Sequence, residues 1–338
     1  MAGNIPIFVP HEGCPQQCSF CNQRTISGSG GMPTPEEAAA LCGEVLEHLP
    51  ARVGKVEIAF FGGSFTAIPR ERMVGLLEGV QSFREHPRVK GIRISTRPNA
   101  VDGEILDLLE HYGVTAIELG AQSMDDRVLE LNRRGHDSAS VVRASRLIRS
   151  RGFSLGLQMM TGLYGSSREK DLETGRALAE LEPDTMRIYP TVVLSGTQLE
   201  EEMLAGRYHP PGVEETVPLC ADLLELFEQR GIQVIRLGLQ TSELLESQAV
   251  GGCFHPALGE LCQNERYFRR LLAEAEALGE KRLLLRVSPR KASQVLGQKR
   301  RNIRRLEQAG CRITVEVADQ LLDYASGSGG NAGHGLFR

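Results

Sequence analysis

Residues 5–22 read IPIFVPHEGCPQQCSFCN: an apolar run of strand length, then a loop with three cysteines inside eight residues. Cys14, Cys18 and Cys21 are spaced C-x3-C-x2-C, so three thiolates on one loop can each reach a different iron of a cubane cluster. Most iron–sulfur clusters take four cysteines. Three leave one iron open, much as a catalytic zinc site keeps a position for a ligand. Two alternatives share the spacing: a structural zinc completed by His11, and a cluster closed by a fourth cysteine from elsewhere. The remaining cysteines, Cys42, Cys220, Cys253, Cys262 and Cys311, are scattered and read as small buried hydrophobes. They do not form the dense framework of a disulfide scaffold.

Outward from this loop, short apolar runs alternate with helical stretches. The strands read as Ile5–Val9, Val56–Phe61, Gly91–Thr96, Ala116–Leu119, Ser154–Met159, Thr185–Tyr189 and Gln233–Leu237. Between them lie helices at Pro35–Leu49, Arg70–Glu85, Gly103–Tyr112, Ser138–Ser150, Glu169–Leu181 and Glu215–Arg230. Nearly continuous apolar strands separated by helices predict an α/β fold whose parallel sheet is covered on both faces. The cysteine loop, Gly62-Gly63, Arg97-Pro98-Asn99 and Gln122-Ser123 each follow a strand, and α/β folds gather their sites at those carboxyl ends.

The balance of the chain is that of a globular protein, with 41% hydrophobic and 24% charged residues. No run approaches the roughly 20 apolar residues of a membrane span, and the first residues lack the features of a signal peptide. A cytoplasmic location is expected. The net charge of −4 hides an asymmetry: ten basic and no acidic residues lie between Lys281 and Leu306, so the rest carries −14. A local basic patch can hold a polyanion on an acidic protein.

The loop, with Phe20 before its last cysteine, resembles the radical S-adenosylmethionine superfamily. Several ordered stretches resemble one branch, the radical domain of the Elongator catalytic subunit. They are Phe61–Pro69 (FGGSFTAIP), Ser95–Asn99 (STRPN), Glu118–Ser123 (ELGAQS), Asn132–His136 (NRRGH), Gln158–Met160 (QMM), and Ile188–Thr191 running on to Thr197. The resemblance covers about residues 5–210 and implies a partial (β/α)6 barrel. It also implies a [4Fe–4S] cluster on Cys14, Cys18 and Cys21, with S-adenosylmethionine cleaved to a 5′-deoxyadenosyl radical. The cofactor-binding residues it implies are Phe20, Gly62, Gly63, Ser64, Ser95, Gln122, Arg133 and Gln158. Arg133 is matched to the methionine carboxylate, one residue from Arg134. Relatives carry a glutamate where this chain has Ser95. Tyr189 and Arg97 are the catalytic candidates on the substrate side, and His136 is either nearby or a helix cap.

Beyond a turn-rich linker, residues 241–263, the sequence predicts a small α+β domain over 264–320 and a disordered Gly/Ser/Asn-rich tail over 321–338, following a barrel over 1–240. The run Val295–Ile303 (VLGQKRRNI) joins two predicted helices, with strands outside both. This pattern resembles a KH domain, whose GXXG loop clamps a nucleic-acid backbone. Gly297, Lys299, Arg300 and Arg301 are the nucleic-acid candidates, Arg300 standing where the second glycine belongs. Cys253, His255 and Cys262 read as a structural loop rather than a metal site.

Together these readings predict a radical enzyme that modifies RNA, most simply tRNA, supplied with electrons by a ferredoxin or flavodoxin. The relatives' acetyl transfer is not carried over, because the sequence stops where their acetyltransferase domain begins. A radical enzyme with a small-molecule or protein substrate, and a non-catalytic iron–sulfur RNA-binding sensor, are the alternatives.

Overall fold

Strand alternates with helix from the first described residue. The computed structural model describes residues 3–9, 18–22, 31–240, 242–278, 282–317 and 333–336. The strands are β1 (Gly3–Val9), β2 (Val56–Gly62), β3 (Val89–Thr96), β4 (Val114–Gln122), β5 (Ser154–Thr161), β6 (Thr185–Pro190) and β8 (Gln233–Leu237). They form one seven-stranded parallel sheet in the order β1-β2-β3-β4-β5-β6-β8. Between β6 and β8 a short β7 (Val192–Leu194) pairs antiparallel with β9 (Ala249–Gly252).

The covering helices are α1 (Pro35–His48), α2 (Arg70–Gly79), α3 (Gly103–His111), α4 (Asp126–Leu131), α5 (Ser138–Ser150) and α6 (Arg168–Ala179). After β7 come α7 (Gln198–Leu204), α8 (Val213–Gln229) and α9 (Glu243–Gln248). Their starts are written in the sequence. Thr34 and Glu37 form a reciprocal capping box ahead of Pro35, and Asp102, Asp125, Asp137, Ser167 and Thr197 cap five further helices. Each such cap contributes about 1 kcal/mol. The helix expected over Arg70–Glu85 stops at Gly79 and continues as a 3₁₀ turn over Gln81–Phe83. A Cβ on Gly79 would lie 2.6 Å from the Pro35 carbonyl oxygen, so the close approach to α1 needs glycine.

The sheet is curled. On a flat sheet four strand spacings of about 4.8 Å would hold β2 and β6 about 19 Å apart. Yet the Arg187 guanidinium of β6 sits 5.2 Å from the centre of the Phe61 ring of β2. The result is the half-barrel that the family resemblance implied, with β1 and β8 as its edge strands. Its helix-facing side is an apolar core that includes Ile58, Phe60, Ile92, Ile94, Ile117, Leu119, Leu157 and Ile188.

The chain divides into two compact units, residues 1–216 with 223–254, and residues 217–222 with 255–338. The second contains α10 (Leu258–Leu278), β10 (Arg282–Val287), α11 (Pro289–Leu296), α12 (Arg301–Gln308), β11 (Arg312–Val317) and β12 (Gly333–Leu336). Its core is built from Phe268, Leu271, Leu285, Val287, Val295, Ile303 and Leu306. The strand order is β11-β10-β12, with both outer strands parallel to β10. Strand β12 falls inside the tail expected to be disordered. Its Gly-His-Gly-Leu sequence can add to a sheet because pairing uses backbone groups that every residue carries. Residues 321–332 and 337–338, the rest of that tail, lie outside the described residues.

Candidate functional site

Strand period two puts every second residue of the sheet on its concave face. Five strands place one charged residue there among apolar neighbours: Glu57, Arg93, Glu118, Arg187 and Arg236. Arg93 donates to both oxygens of Glu57, at 2.9 and 3.2 Å, and to Glu118 Oε1 at 3.2 Å. Arg187 Nη2 donates to Glu118 Oε1 at 2.9 Å, and Gln158 Nε2 donates to Oε2 at 2.9 Å. Arg187 Nε lies 2.8 Å from Oε2 but off the line of a hydrogen bond, so the two groups form an ion pair there. The Glu118 side chain is 1% exposed. Room for it comes from Gly156 on β5, where a Cβ would lie 2.7 Å from Glu118 Cγ. This ladder is the polar floor of the barrel lumen.

Tyr189 follows Arg187 by two residues and shares its face. Burial pushes its phenol above the ordinary tyrosine value while the Arg187 charge opposes the shift. It is therefore a protonated hydrogen-bond donor at neutral pH.

At the carboxyl ends of the strands two buried polar atoms lack partners among the described residues. Ser95 Oγ on β3 and Gln122 Oε1 at the end of β4 are both buried without a hydrogen bond. Gln122 has φ of 66° where the β4–β5 register shifts. Thr66 and Thr96 share a buried hydrogen bond of 2.6 Å beside them. Gly62 has φ of 111°, and a Cβ there would meet the Val9 carbonyl at 3.0 Å. Gly63 N donates to that same carbonyl at 2.7 Å. The Gly-Gly turn is thus drawn tightly against the end of β1, from which the cysteine loop departs.

The described part of that loop, residues 18–22, is pinned to the strand ends. Ser19 is buried, its Oγ donating to Asn132 Oδ1 at 2.7 Å and its N to the Asn132 carbonyl. Leu199 N in turn donates to the Ser19 carbonyl at 3.0 Å. Phe20, with Tyr164 and Met203, packs against a cluster of Val193, Leu199 and Tyr208. Arg134 Nη1 lies 3.0 Å from Cys18 Sγ, its Nη2 donates to the Gly120 carbonyl at 2.7 Å, and its guanidinium is 5.7 Å from the Phe20 ring centre. Arg133, matched by resemblance to the cofactor's carboxylate, points away. It has φ of 52° and is exposed, lining a cleft of about 910 Å³ with Asp126, Glu130 and His136.

Arg97 is buried and braces this region, its Nε donating to Asn99 Oδ1 at 2.5 Å and its Nη2 to the Arg134 carbonyl at 3.3 Å. His136 Nε2 lies 3.3 Å from the Ala121 carbonyl oxygen. Desolvation first, then the Arg134 charge, lowers its pKa to about 4, so the ring is neutral. Cys14 and His11 lie outside the described residues.

In the second unit, Gly297 has φ of +73°, and a Cβ would meet Asn302 Cγ and N at 3.0 Å. Internal packing therefore accounts for this glycine. Asn302 is buried and donates to the Asn264 and Val295 carbonyls. Lys299 and Arg300 are left-handed, at φ of 51° and 61°, and with Arg301 they are exposed. The loop thus keeps a left-handed bend at Arg300 without glycine. Glu265 anchors α12 beneath it, bound by Arg305 at 2.5 Å and Arg269 at 2.8 Å, which hold its carboxyl below the ordinary range against burial.

A parallel half-barrel with a cysteine loop at its strand ends defines a cluster-binding α/β barrel. Comparison with known proteins makes this specific. The Radical SAM superfamily model matches residues 8–178 and the Radical_SAM C-terminal domain model matches residues 183–269; the chain belongs to the Radical SAM superfamily. It is similar to a tRNA uridine(34) acetyltransferase of Dehalococcoides mccartyi, 31% identical over 263 residues, covering 67% of this chain and 57% of that protein. It is also similar to human Elongator complex protein 3, 32% identical over 203 residues, covering 54% of this chain and 37% of that protein. An uncharacterized protein of Methanocaldococcus jannaschii is 30% identical over 223 residues, 65% of each chain. The chain therefore spans between about a third and two thirds of these relatives. Among solved structures, Elp3 of Methanocaldococcus infernus shares the fold with a TM-score of 0.63 at 22% identity, covering 80% of this chain and 63% of that one.

Members of this superfamily use a [4Fe–4S] cluster and S-adenosylmethionine, which are the cofactors of this chain. The residues present fit them. Arg134 links Cys18 Sγ to the Gly120 carbonyl near the end of β4, and the strand ends hold buried, unpaired polar atoms on Ser95 and Gln122 that a ligand with amino, carboxylate and hydroxyl groups can satisfy. No described helix is long and apolar enough to cross a membrane.

Proposed function

We propose that this protein is a cytoplasmic radical enzyme that modifies RNA, most simply a uridine of tRNA. One observation carries the catalytic part of the reading: Arg134 and Ser19 pin Cys18 beside strand ends where Ser95 Oγ and Gln122 Oε1 lack partners. When bound, the cluster and S-adenosylmethionine supply a reductively formed 5′-deoxyadenosyl radical that abstracts hydrogen. Cys14, Cys18 and Cys21 would hold the cluster, and electrons would come from a ferredoxin or flavodoxin.

The protein's own residues bind, orient and shield. In the Gly62-Gly63-Ser64 turn the two glycines, lacking Cβ atoms, let backbone groups come close to the cofactor. Ser95, Gln122 and Gln158 orient its polar groups, Phe20 closes the loop over the barrel, and Arg134 takes the cationic role that the resemblance gave to Arg133. Arg97 acts through Arg134, whose carbonyl it holds, and is a positioning residue. Tyr189 faces the lumen as a neutral donor to substrate.

RNA as substrate is supported by the similarity to proteins named tRNA uridine(34) acetyltransferase and by the exposed Lys299, Arg300 and Arg301 at the turn from α11 into the start of α12. In this reading the second unit is a KH-like module that grips phosphates with side chains, the space beside Gly297 being occupied by Asn302. The decisive test is a comparison of modified nucleosides in tRNA from cells with and without the gene, grown anaerobically. A nucleoside that disappears with the gene and returns with the wild type, but not with Cys18→Ala, is the expected result. Identical nucleoside profiles would refute RNA as the substrate.

A further inference from the structure

The charges on the barrel floor do not balance. Glu57 and Glu118 are bound by Arg93 and Arg187 in one continuous ladder, and Lys90, half-exposed at its rim, adds a third cation 3.5 Å from Glu57. A further guanidinium follows, Arg236 on β8, paired in register with Arg187 on β6 just past a bulge that skips Ile235. In parallel strands register partners point to the same face, and the influence of Arg236 on the Tyr189 phenol agrees with that placement. Arg236 is half-buried, and no described carboxylate lies within ion-pair distance of it. Ile235, the residue skipped by that bulge, is exposed.

Charged residues on edge strands often serve only to block edge-to-edge pairing. That role calls for a charge facing solvent, whereas Arg236 faces the lumen beside Tyr189. Partial burial of a guanidinium is unfavourable without an anionic partner. Arg187 cannot provide relief, being itself cationic and committed to Glu118. The accessible groups along this wall are therefore donors: the guanidinium fork of Arg236 and the hydroxyl of Tyr189. The Phe61 ring stands across from them, held under Arg187.

We propose that Arg236, assisted by Tyr189, forms an anion subsite on the lumen wall that takes a phosphate group of the nucleotide being modified. The anion follows from the placement of Arg236; its assignment to a nucleotide phosphate rests on the RNA reading above. An arginine fork pairs two donors with two phosphate oxygens, which a lysine cannot reproduce. The subsite shares no residue with the Lys299–Arg301 loop and would orient a single nucleotide, where the loop would grip the chain.

The test uses the anaerobically reconstituted holoprotein and equilibrium dialysis with uridine 5′-monophosphate and uridine. The wild type is expected to bind the monophosphate about tenfold more tightly than the nucleoside, the scale of one charge-assisted bidentate interaction. Arg236→Gln abolishes that preference, and Arg236→Lys retains only part of it. Iron content and cluster absorbance confirm that each variant has folded around its cluster. Equal affinity for the two ligands in the wild type overturns the proposal without recourse to any variant, as does a preference that survives Arg236→Gln. Competition by a uridine-containing anticodon stem-loop separates the anion subsite from the identity of its occupant. A phosphate preference that depends on Arg236 but is not competed by the stem-loop upholds the anion subsite and refutes RNA as its source.

Discussion

Replacing Glu118 with glutamine should cost this protein more stability than almost any other single-atom change. The carboxylate is buried between two guanidiniums and is bound by Arg93, Arg187 and Gln158. Glutamine keeps the shape but removes the charge, leaving Arg187 without a counterion. Breaking a buried ion pair from one side typically costs about 3–5 kcal/mol. For a unit of this size that corresponds to a fall of about 6–20 °C in melting temperature. The assay is thermal unfolding of the reconstituted protein, followed by far-ultraviolet circular dichroism. Glu130→Gln serves as the comparison, because its ion pair with Arg127 is on the surface and should matter by less than about 1 kcal/mol. Adding Arg187→Met to Glu118→Gln should restore part of the stability, since Arg93 keeps its two bonds to Glu57. Equal melting temperatures for Glu118→Gln and Glu130→Gln, or strict additivity in the double variant, would refute the ladder as an energetic unit.

Gly62→Ala forces a left-handed alanine against the Val9 carbonyl; we expect a destabilisation of about 1–3 kcal/mol in urea unfolding and weaker S-adenosylmethionine binding by calorimetry. Acid titration should show two groups acting in opposite directions. His136, with its pKa lowered to about 4, is neutral when folded, so stability falls as pH drops from about 6.5 to about 4, by up to about 3 kcal/mol. Asp171, raised to about 6 by burial, keeps its proton in the fold, so its contribution falls as pH rises from about 4 to about 6. In urea midpoints of the cluster-free protein, His136→Gln should therefore flatten the acid-induced fall and Asp171→Asn steepen it. Charge reversal of Lys299, Arg300 and Arg301 should lower the salt slope of tRNA binding by about one unit for each phosphate no longer neutralised, measured by filter binding; an unchanged slope would remove this loop from the interface.

Much of the fold was legible because strands buried against helices, with few charges on the lumen face, leave long apolar runs, and because the caps stand where the helices begin. The cysteine spacing carried the class of chemistry. The lumen ladder was half legible: Glu57, Arg93, Glu118, Arg187 and Arg236 are visible as single charges inside apolar strands. Only the order of the paired strands reveals that the first four meet and that Arg236 comes next in register. The choice between Arg133 and Arg134 turns on one left-handed residue, Arg133 itself, which sends consecutive side chains in opposite directions. Gly297 illustrates a different limit. Its residue type suggested backbone approach to phosphate, yet the space beside it is taken by Asn302, a tertiary fit that sequence spacing does not report.

The cysteine loop as the seat of cofactor cleavage is the claim on which everything else depends. The most direct measurement is chromatographic detection of 5′-deoxyadenosine after the reconstituted protein is reduced in the presence of S-adenosylmethionine. We predict product from the wild type, more of it when unmodified tRNA is present, and none from Cys14→Ala, Cys18→Ala or Cys21→Ala. A fully loaded, fully reduced wild-type cluster that leaves S-adenosylmethionine intact would contradict the claim and point instead to a sensor.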